Sequence, residues 1–184
     1  MMRLVTASLL LAVVLTSLTG AAPRRGKPAR RQATATAAAP LTQTEIGWIL
    51  HMRQEEKLAR DVYLTLGSFW AVPEFPNIAR SEANHMAAVK RLIVAYGLSD
   101  PAADDTVGTF TDPRFAELYQ TLVSQGSASL ADAYAVGVAI EQMDIVDLSE
   151  ALDQVQKVDV RRVFQNLLNA SYNHLAAFQS QLAL

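Results

Sequence analysis

Residues 78–96 read Ile78-Ala79-Arg80-Ser81-Glu82-Ala83-Asn84-His85-Met86-Ala87-Ala88-Val89-Lys90-Arg91-Leu92-Ile93-Val94-Ala95-Tyr96. At about 100° per residue a helix here lines up Ile78, Val89, Leu92, Ile93 and Tyr96, with Arg80, Asn84 and Arg91 on the opposite side. Glu82 and His85 fall in the middle of the apolar stripe. A carboxylate inside a core is costly unless something neutralises it. The stretch therefore predicts a buried helix from about Pro76 to Tyr96, stopped by Gly97, that carries an acid and an imidazole inward.

The same pattern recurs downstream. Ser129 caps a long helix predicted from Leu130 to about Val155, with Leu130, Tyr134, Gly137, Ile140, Leu148 and Leu152 on one stripe. Glu141 and Asp144 lie in that stripe, whereas Asp132, Glu150 and Asp153 do not. A further helix, about Asp159 to Leu182, lines up Val160, Val163, Phe164, Leu167 and Phe178, and Ser171 and His174 fall among them. Three helices thus carry a polar pair at i, i+3 on the buried face, a spacing that points both side chains the same way. No lysine or arginine shares those stripes near the acids, so a divalent metal is the neutralising partner the pattern asks for.

Upstream, Thr44 is the expected cap of a helix ending near Leu66, with Gly67 as its stop. Glu55 and Glu56 both fall toward its apolar side, with Trp48, Met52, Ala59 and Tyr63. Periodicity does not choose between them. His51 reads as a surface residue, Glu55 as supporting or solvent-facing, and Asp147 as a cap or kink residue. Tyr63, Tyr96 and Tyr134 read as core, with one of them placed to hydrogen-bond a ligand carboxylate. Between the second and third long helices, 98–129 is a long connection. It holds a helix start at Asp112-Pro113 and a short amphipathic piece ending at Gln125-Gly126.

Charge and address divide the chain. All 18 acidic residues but only 10 of the 16 lysines and arginines lie in 41–184, a formal charge of −8. Such a domain is a poor nucleic-acid binder and a reasonable host for cations. Residues 1–22 read as a secretory signal: Met1-Met2-Arg3, an apolar run from Leu4 to Leu18, then small residues. Arg24, Arg25 and Lys27 just beyond the run disagree with export, since positive charge there hinders it, and an uncleaved membrane anchor is the second reading after a cleaved signal. Residues 23–40 form an alanine- and proline-rich linker with basic side chains and no acid, a solvated tether that can also touch an anionic cell envelope. The chain has no cysteine, which excludes a lipoprotein anchor and a disulfide framework.

The helices at hand resemble the ferritin-like superfamily, and within it the rubrerythrin relatives, closest to a branch of secreted bacterial domains without an assigned function. That family places a carboxylate on the first helix, Glu-x-x-His on the second, carboxylates on the third and Glu-x-x-His on the fourth. Here Glu82-x-x-His85 matches the second. Glu56-Lys57-Leu58-Ala59-Arg60-Asp61-Val62-Tyr63 is similar to the first and selects Glu56 over Glu55. Glu141-x-x-Asp144 stands for the third. The fourth departs from the pattern, since Ser171 stands where the family's bridging Glu would be, three before His174. The resemblance implies an all-α, ferritin-like four-helix bundle over 41–184, with one long crossover between helices 2 and 3 carrying a short extra helix. It implies a metal site of Glu56, Glu82, His85, Glu141, Asp144 and His174, with Asp144 making up the charge that Ser171 lacks.

Mixed oxygen and imidazole ligands suit iron, with manganese or zinc as alternatives. The expected function is a di-iron protein, a ferroxidase or peroxide-reducing oxidoreductase, coupling ferrous oxidation to reduction of O2 or H2O2. Without cysteine there is no rubredoxin-type iron centre, so electrons come from ferrous ion or an outside donor. The alternatives are a non-catalytic metal-sequestering module, a haem bundle with His85 and His174 as axial ligands, and a plain helical interaction domain whose polar pairs bond to each other. A homodimer is an assembly open to the domain, and the linker argues against a closed cage.

Overall fold

The computed structural model of the chain describes residues 40–183. The expected signal and all but the last residue of the linker lie outside the described residues. Those described form five helices and no strand: α1 (Gln43–Trp70), α2 (Glu74–Ala95), α3 (Pro113–Gly126), α4 (Leu130–Gln154) and α5 (Val158–Leu182). None of them is long and apolar enough to cross a membrane.

α1 departs from expectation at both ends. Its cap is Thr42, not Thr44. The Thr42 hydroxyl accepts from Glu45 N at 3.1 Å and Glu45 Oε2 accepts from Thr42 N at 2.8 Å, a reciprocal capping box. The other Glu45 oxygen accepts the backbone N–H groups of Gln156 and Lys157, so one buried side chain ties the start of α1 to the α4–α5 turn. Gly67 does not end α1. A Cβ on it would stand 3.0 Å from Phe75 Cβ and 3.3 Å from Pro76 Cδ, so this glycine serves the close approach of α2. The helix continues to Trp70 and stops at Ala71, in the left-handed region with φ 52°. α2 begins two residues before Pro76, and Gly97, at φ 64°, turns the chain beyond it.

The four long helices close a ring of contacts, α1 on α2, α2 on α5, α5 on α4 and α4 on α1, with α3 laid against α1 and α4. Two apolar clusters fill the ring, and their residues order every helix. One holds Leu58–Leu66 residues of α1, Phe75 and Ile78 of α2, Ala133–Ile140 residues of α4 and Phe178 of α5. The other holds Ile49 and Met52, Val89–Ile93 residues, Leu148 and Ala151, and Val160–Leu168 residues. α1 and α5 therefore run from the second cluster to the first, while α2 and α4 run the other way. Every contacting pair of the ring is antiparallel, and α2 and α4 point the same way. The chain must travel back the length of the ring between them, which is why that connection is long.

The crossover is fastened to the far side of α1. Arg53 donates to Asp100 and to the carbonyls of Met86 and Ala102. Lys57 donates to Asp61 and to the Thr106 carbonyl, and its ammonium lies 4.5 Å from the Phe110 ring centre. Arg60 bridges Asp61 and Asp105. Asp61 also accepts Gly108 N–H at 2.9 Å. From Met52 to Tyr63 α1 is buried on all sides, apolar groups toward the ring and ion pairs beneath the crossover.

Candidate metal centre

Between the two apolar clusters each long helix presents polar side chains at one level: Glu55 and Glu56, Glu82 and His85, Glu141 and Asp144, Ser171 and His174. Glu82 is the hub, only 2 % exposed. Its Oε2 lies 2.7 Å from His85 Nδ1 and its Oε1 2.8 Å from His174 Nδ1. Glu56 Oε2 is 3.1 Å from the same His85 nitrogen, and Glu141 Oε2 is 3.6 Å from the same His174 nitrogen. Two groups of donors result, Glu56–Glu82–His85 and Glu82–Glu141–His174, each with its ligand atoms within 4.8 Å of one another. The imidazole rings lie 5.7 Å apart with the Glu82 carboxylate between their Nδ1 atoms.

The surroundings hold these groups in place. Tyr63 donates to Glu141 Oε1 at 2.8 Å, so Tyr63 is the tyrosine that supports an inward carboxylate. Tyr96 and Tyr134 instead meet Asp159 and Glu74. His174 Nε2 lies 3.0 Å from Ser81 Oγ, which fixes the ring with Nδ1 facing inward. Ser171 donates to Asp144 Oδ2. Asp144 is buried at the same level but belongs to neither three-donor group, and its Oδ1 has no hydrogen-bond partner.

Glu56 Oε1, Glu82 Oε1 and His174 Nδ1 are likewise buried without a hydrogen bond. The 2.8 Å approach of the last two is an ion-pair distance without the angles of N–H donation, an arrangement suited to two ligands of one cation.

Charge is correspondingly frustrated. Burial raises the Glu56 carboxyl well above its ordinary range, and the charges of Asp144 and Glu82 raise it further. Burial and then the charge of Glu55 do the same to Asp144, against the Ser171 hydrogen bond. Burial also lifts Glu141, to about 7. Glu82 is opposed by burial too, but the two imidazoles outweigh it and hold it down at about 2. Burial pulls His174 down, and Glu141 and Glu82 carry it up to about 10.

Three residues that sequence reasoning set aside form a further group. His51, read as surface, has Nε2 2.8 Å from Asp147 Oδ2 and 3.3 Å from Glu55 Oε2. Glu55, read as supporting or solvent-facing, is 1 % exposed, and Asp147 is a partner of His51 across α1 and α4, not a cap. The signals were present as His51-x-x-x-Glu55, one helical turn apart, and Asp147 three residues after Asp144.

Known proteins share the fold of this chain. Uncharacterized protein MJ0754 of Methanocaldococcus jannaschii is 45% identical over 143 residues, covering 78% of this chain and 77% of that protein. The crystal structure of hypothetical protein MJ0754 from Methanococcus jannaschii aligns with a TM-score of 0.77 at 44% identity, over 79% of this chain and 83% of that one. A DUF305 fragment from Deinococcus radiodurans aligns at a TM-score of 0.59 with 16% identity, over 79% of this chain and 99% of the fragment, a likeness of fold alone. Residues 45–184, which carry every inward acid and imidazole described above, match the family described as Uncharacterized protein domain (DUF2202), and the chain belongs to that family.

Proposed function

We propose that the domain is a ferritin-like di-metal carboxylate protein, di-iron by preference, which couples ferrous oxidation to reduction of dioxygen or hydrogen peroxide. The observation that carries this reading is the Glu82 carboxylate, whose two oxygens face imidazoles from two different helices at 2.7 and 2.8 Å. A carboxylate bridging two ions divides its oxygens in this way. The ring of antiparallel helices with one long crossover supports the ferritin-like part of this reading.

The residues fit such a centre. A structural polar network would satisfy its buried atoms. Here Glu56 Oε1, Glu82 Oε1, Asp144 Oδ1 and His174 Nδ1 are left over at one level. Glu56, Glu82 and His85 would hold one ion and Glu82, Glu141 and His174 the other. Asp144, set by Ser171, would complete four negative charges against two divalent ions. Two ferrous ions would supply two electrons, the number that takes dioxygen to peroxide or peroxide to water. The chain's own part is positional. Tyr63 orients Glu141, Ser81 orients His174, and the apolar clusters above and below exclude water. Export, with 1–22 as a cleaved signal and 23–40 as a tether, completes the proposal.

The test is metal analysis of protein purified without chelators, followed by oxygen and peroxide consumption on adding ferrous ion. At least two ions per chain with consumption support the reading. The same ions without consumption reduce it to sequestration, a Soret band replaces it with haem, and no bound metal removes it.

Proton linkage gives a second check. Ions must displace the proton held on His174, which is raised to about 10, so loading is expected to release protons near pH 7. In the ion-free protein His174, raised to about 10, contributes stability that is whole below about 6.5 and lost as pH rises through about 10. Glu141, raised to about 7 from 4.5, also lowers stability as pH rises across that interval. The ion-free melting temperature should therefore fall from about pH 5 toward about pH 10, and the gain on adding ions should grow over the same range. Buffer-dependent titration calorimetry and melts across pH measure both. A metal-induced shift independent of pH contradicts the assignment.

A further inference from the structure

We propose that His51, Glu55 and Asp147 form a third divalent-cation site, an outer station from which ions reach the interior pair. The binding site stands on its own geometry, and only the loading role rests on the reading of that pair.

The three donors come from facing helices, His51 and Glu55 from α1 and Asp147 from α4, and lie within 4.8 Å of one another. An acidic cluster at a surface would mean little, but Glu55 is not at the surface. It is 1 % exposed, and neither carboxylate oxygen has a hydrogen-bond partner, although Oε2 stands 3.3 Å from His51 Nε2. A carboxylate left in this state has a desolvation cost that a bound cation removes. The His51 ring is held edge-on to Trp48 at 5.7 Å and tilted on Phe115 at 5.5 Å, so its Nε2 is aimed at the two acids.

The group faces an open cleft of about 160 Å³ lined by His51, Glu55, Arg114, Phe115, Leu118 and Met143. Arg114 is engaged by Asp112 at 2.6 Å and does not neutralise Glu55, so His51 is the group that faces it. His51 and Asp147 keep 35 % and 27 % of their side-chain surface, so an ion can arrive from solvent. Inward, Glu55 is followed in sequence by Glu56, and Asp147 lies one turn beyond Asp144 on α4. Asp144, with its unpartnered Oδ1, is thus the natural step between the outer group and the interior one. An oxygen and imidazole set of this kind suits Mn2+, Fe2+ or Zn2+.

The experiment is equilibrium dialysis of the full chain against Mn2+, with stopped-flow loading, for wild type, His51→Gln, Asp147→Asn and Glu82→Ala. Circular dichroism checks that each variant is folded, and the two outer variants alter partly exposed side chains. Three ions in wild type, two in His51→Gln and Asp147→Asn, and interior loading slowed about tenfold in those two are the expected results. Glu82→Ala should keep the outer ion. Two ions in wild type and in both outer variants, loaded at equal rates, overturn the proposal and leave the interior reading intact. A single ion lost in His51→Gln but kept in Glu82→Ala supports the outer site and removes the interior one. Three ions with unchanged loading in the outer variants overturn the proposal as well.

Discussion

Glu82→Ala is expected to lower affinity at both interior positions together, by more than about 100-fold, beyond what loss of a supporting hydrogen bond costs a metal site. The reason is connectivity. Glu82 is the residue shared by the two interior three-donor groups, so on the proposed reading its removal takes a donor from each. It also leaves His85 and His174 without the acid that faces their Nδ1 atoms at 2.7 and 2.8 Å. Helicity should survive, because the apolar clusters on either side contain no part of Glu82. The contrast with Glu56→Gln is informative, since Glu56 belongs to one group only. That variant should weaken one ion and spare the other. Titration calorimetry separates the cases, and equal effects of the two substitutions would count against a shared bridging ligand.

The second large effect is on stability. Asp61→Ala is expected to cost about 3–5 kcal/mol, the usual consequence of removing one member of a buried ion cluster. For a domain of this size that is a fall of roughly 10–20 °C in melting temperature. Asp61 is fully buried and accepts from Lys57, from Arg60 at 2.8 and 2.6 Å, and from Gly108 N–H. Its loss strands the fully buried Lys57 ammonium and releases the crossover at Gly108. Lys57→Met in the same chain should recover much of the loss, because the stranded charge is then gone. A double-mutant cycle by thermal and urea unfolding measures this coupling. A cost below about 1 kcal/mol for Asp61→Ala alone would show that the cluster does not hold the crossover.

The sequence made some of this legible and hid the rest for physical reasons. Helices α2, α4 and α5 each have one dry face and one wet face, so a 3.6-residue period sorts their side chains, and the inward positions of Glu82, His85, Glu141, Asp144 and His174 follow from it. α1 defeats that method because it has no wet face between Met52 and Tyr63. Arg53, Lys57, Arg60 and Asp61 are buried under the crossover, and their polarity mimics a solvent face. The choice between Glu55 and Glu56 was unanswerable by period for the same reason. Both are buried, Glu56 toward His85 and Glu55 toward His51.

The ends of α1 show a different limit. Thr42-x-x-Glu45 spells a capping box that outcompetes Thr44, a signal present in the sequence itself. Gly67 looked like a stop, yet its role is set by Phe75 and Pro76 of the next helix, which no local rule can see. Ser171 carries no charge where the resemblance leads one to expect an acid, and its hydroxyl holds the Asp144 carboxylate of α4.

The most direct measurement is anomalous diffraction from crystals of the full chain grown with Mn2+ or ferrous ion. Two peaks about 3.5–4 Å apart, with one Glu82 oxygen directed at each and His85 and His174 on opposite ions, are the predicted result. Crystals that hold no ion within reach of Glu82, with its oxygens bonded only to protein and water, would contradict it.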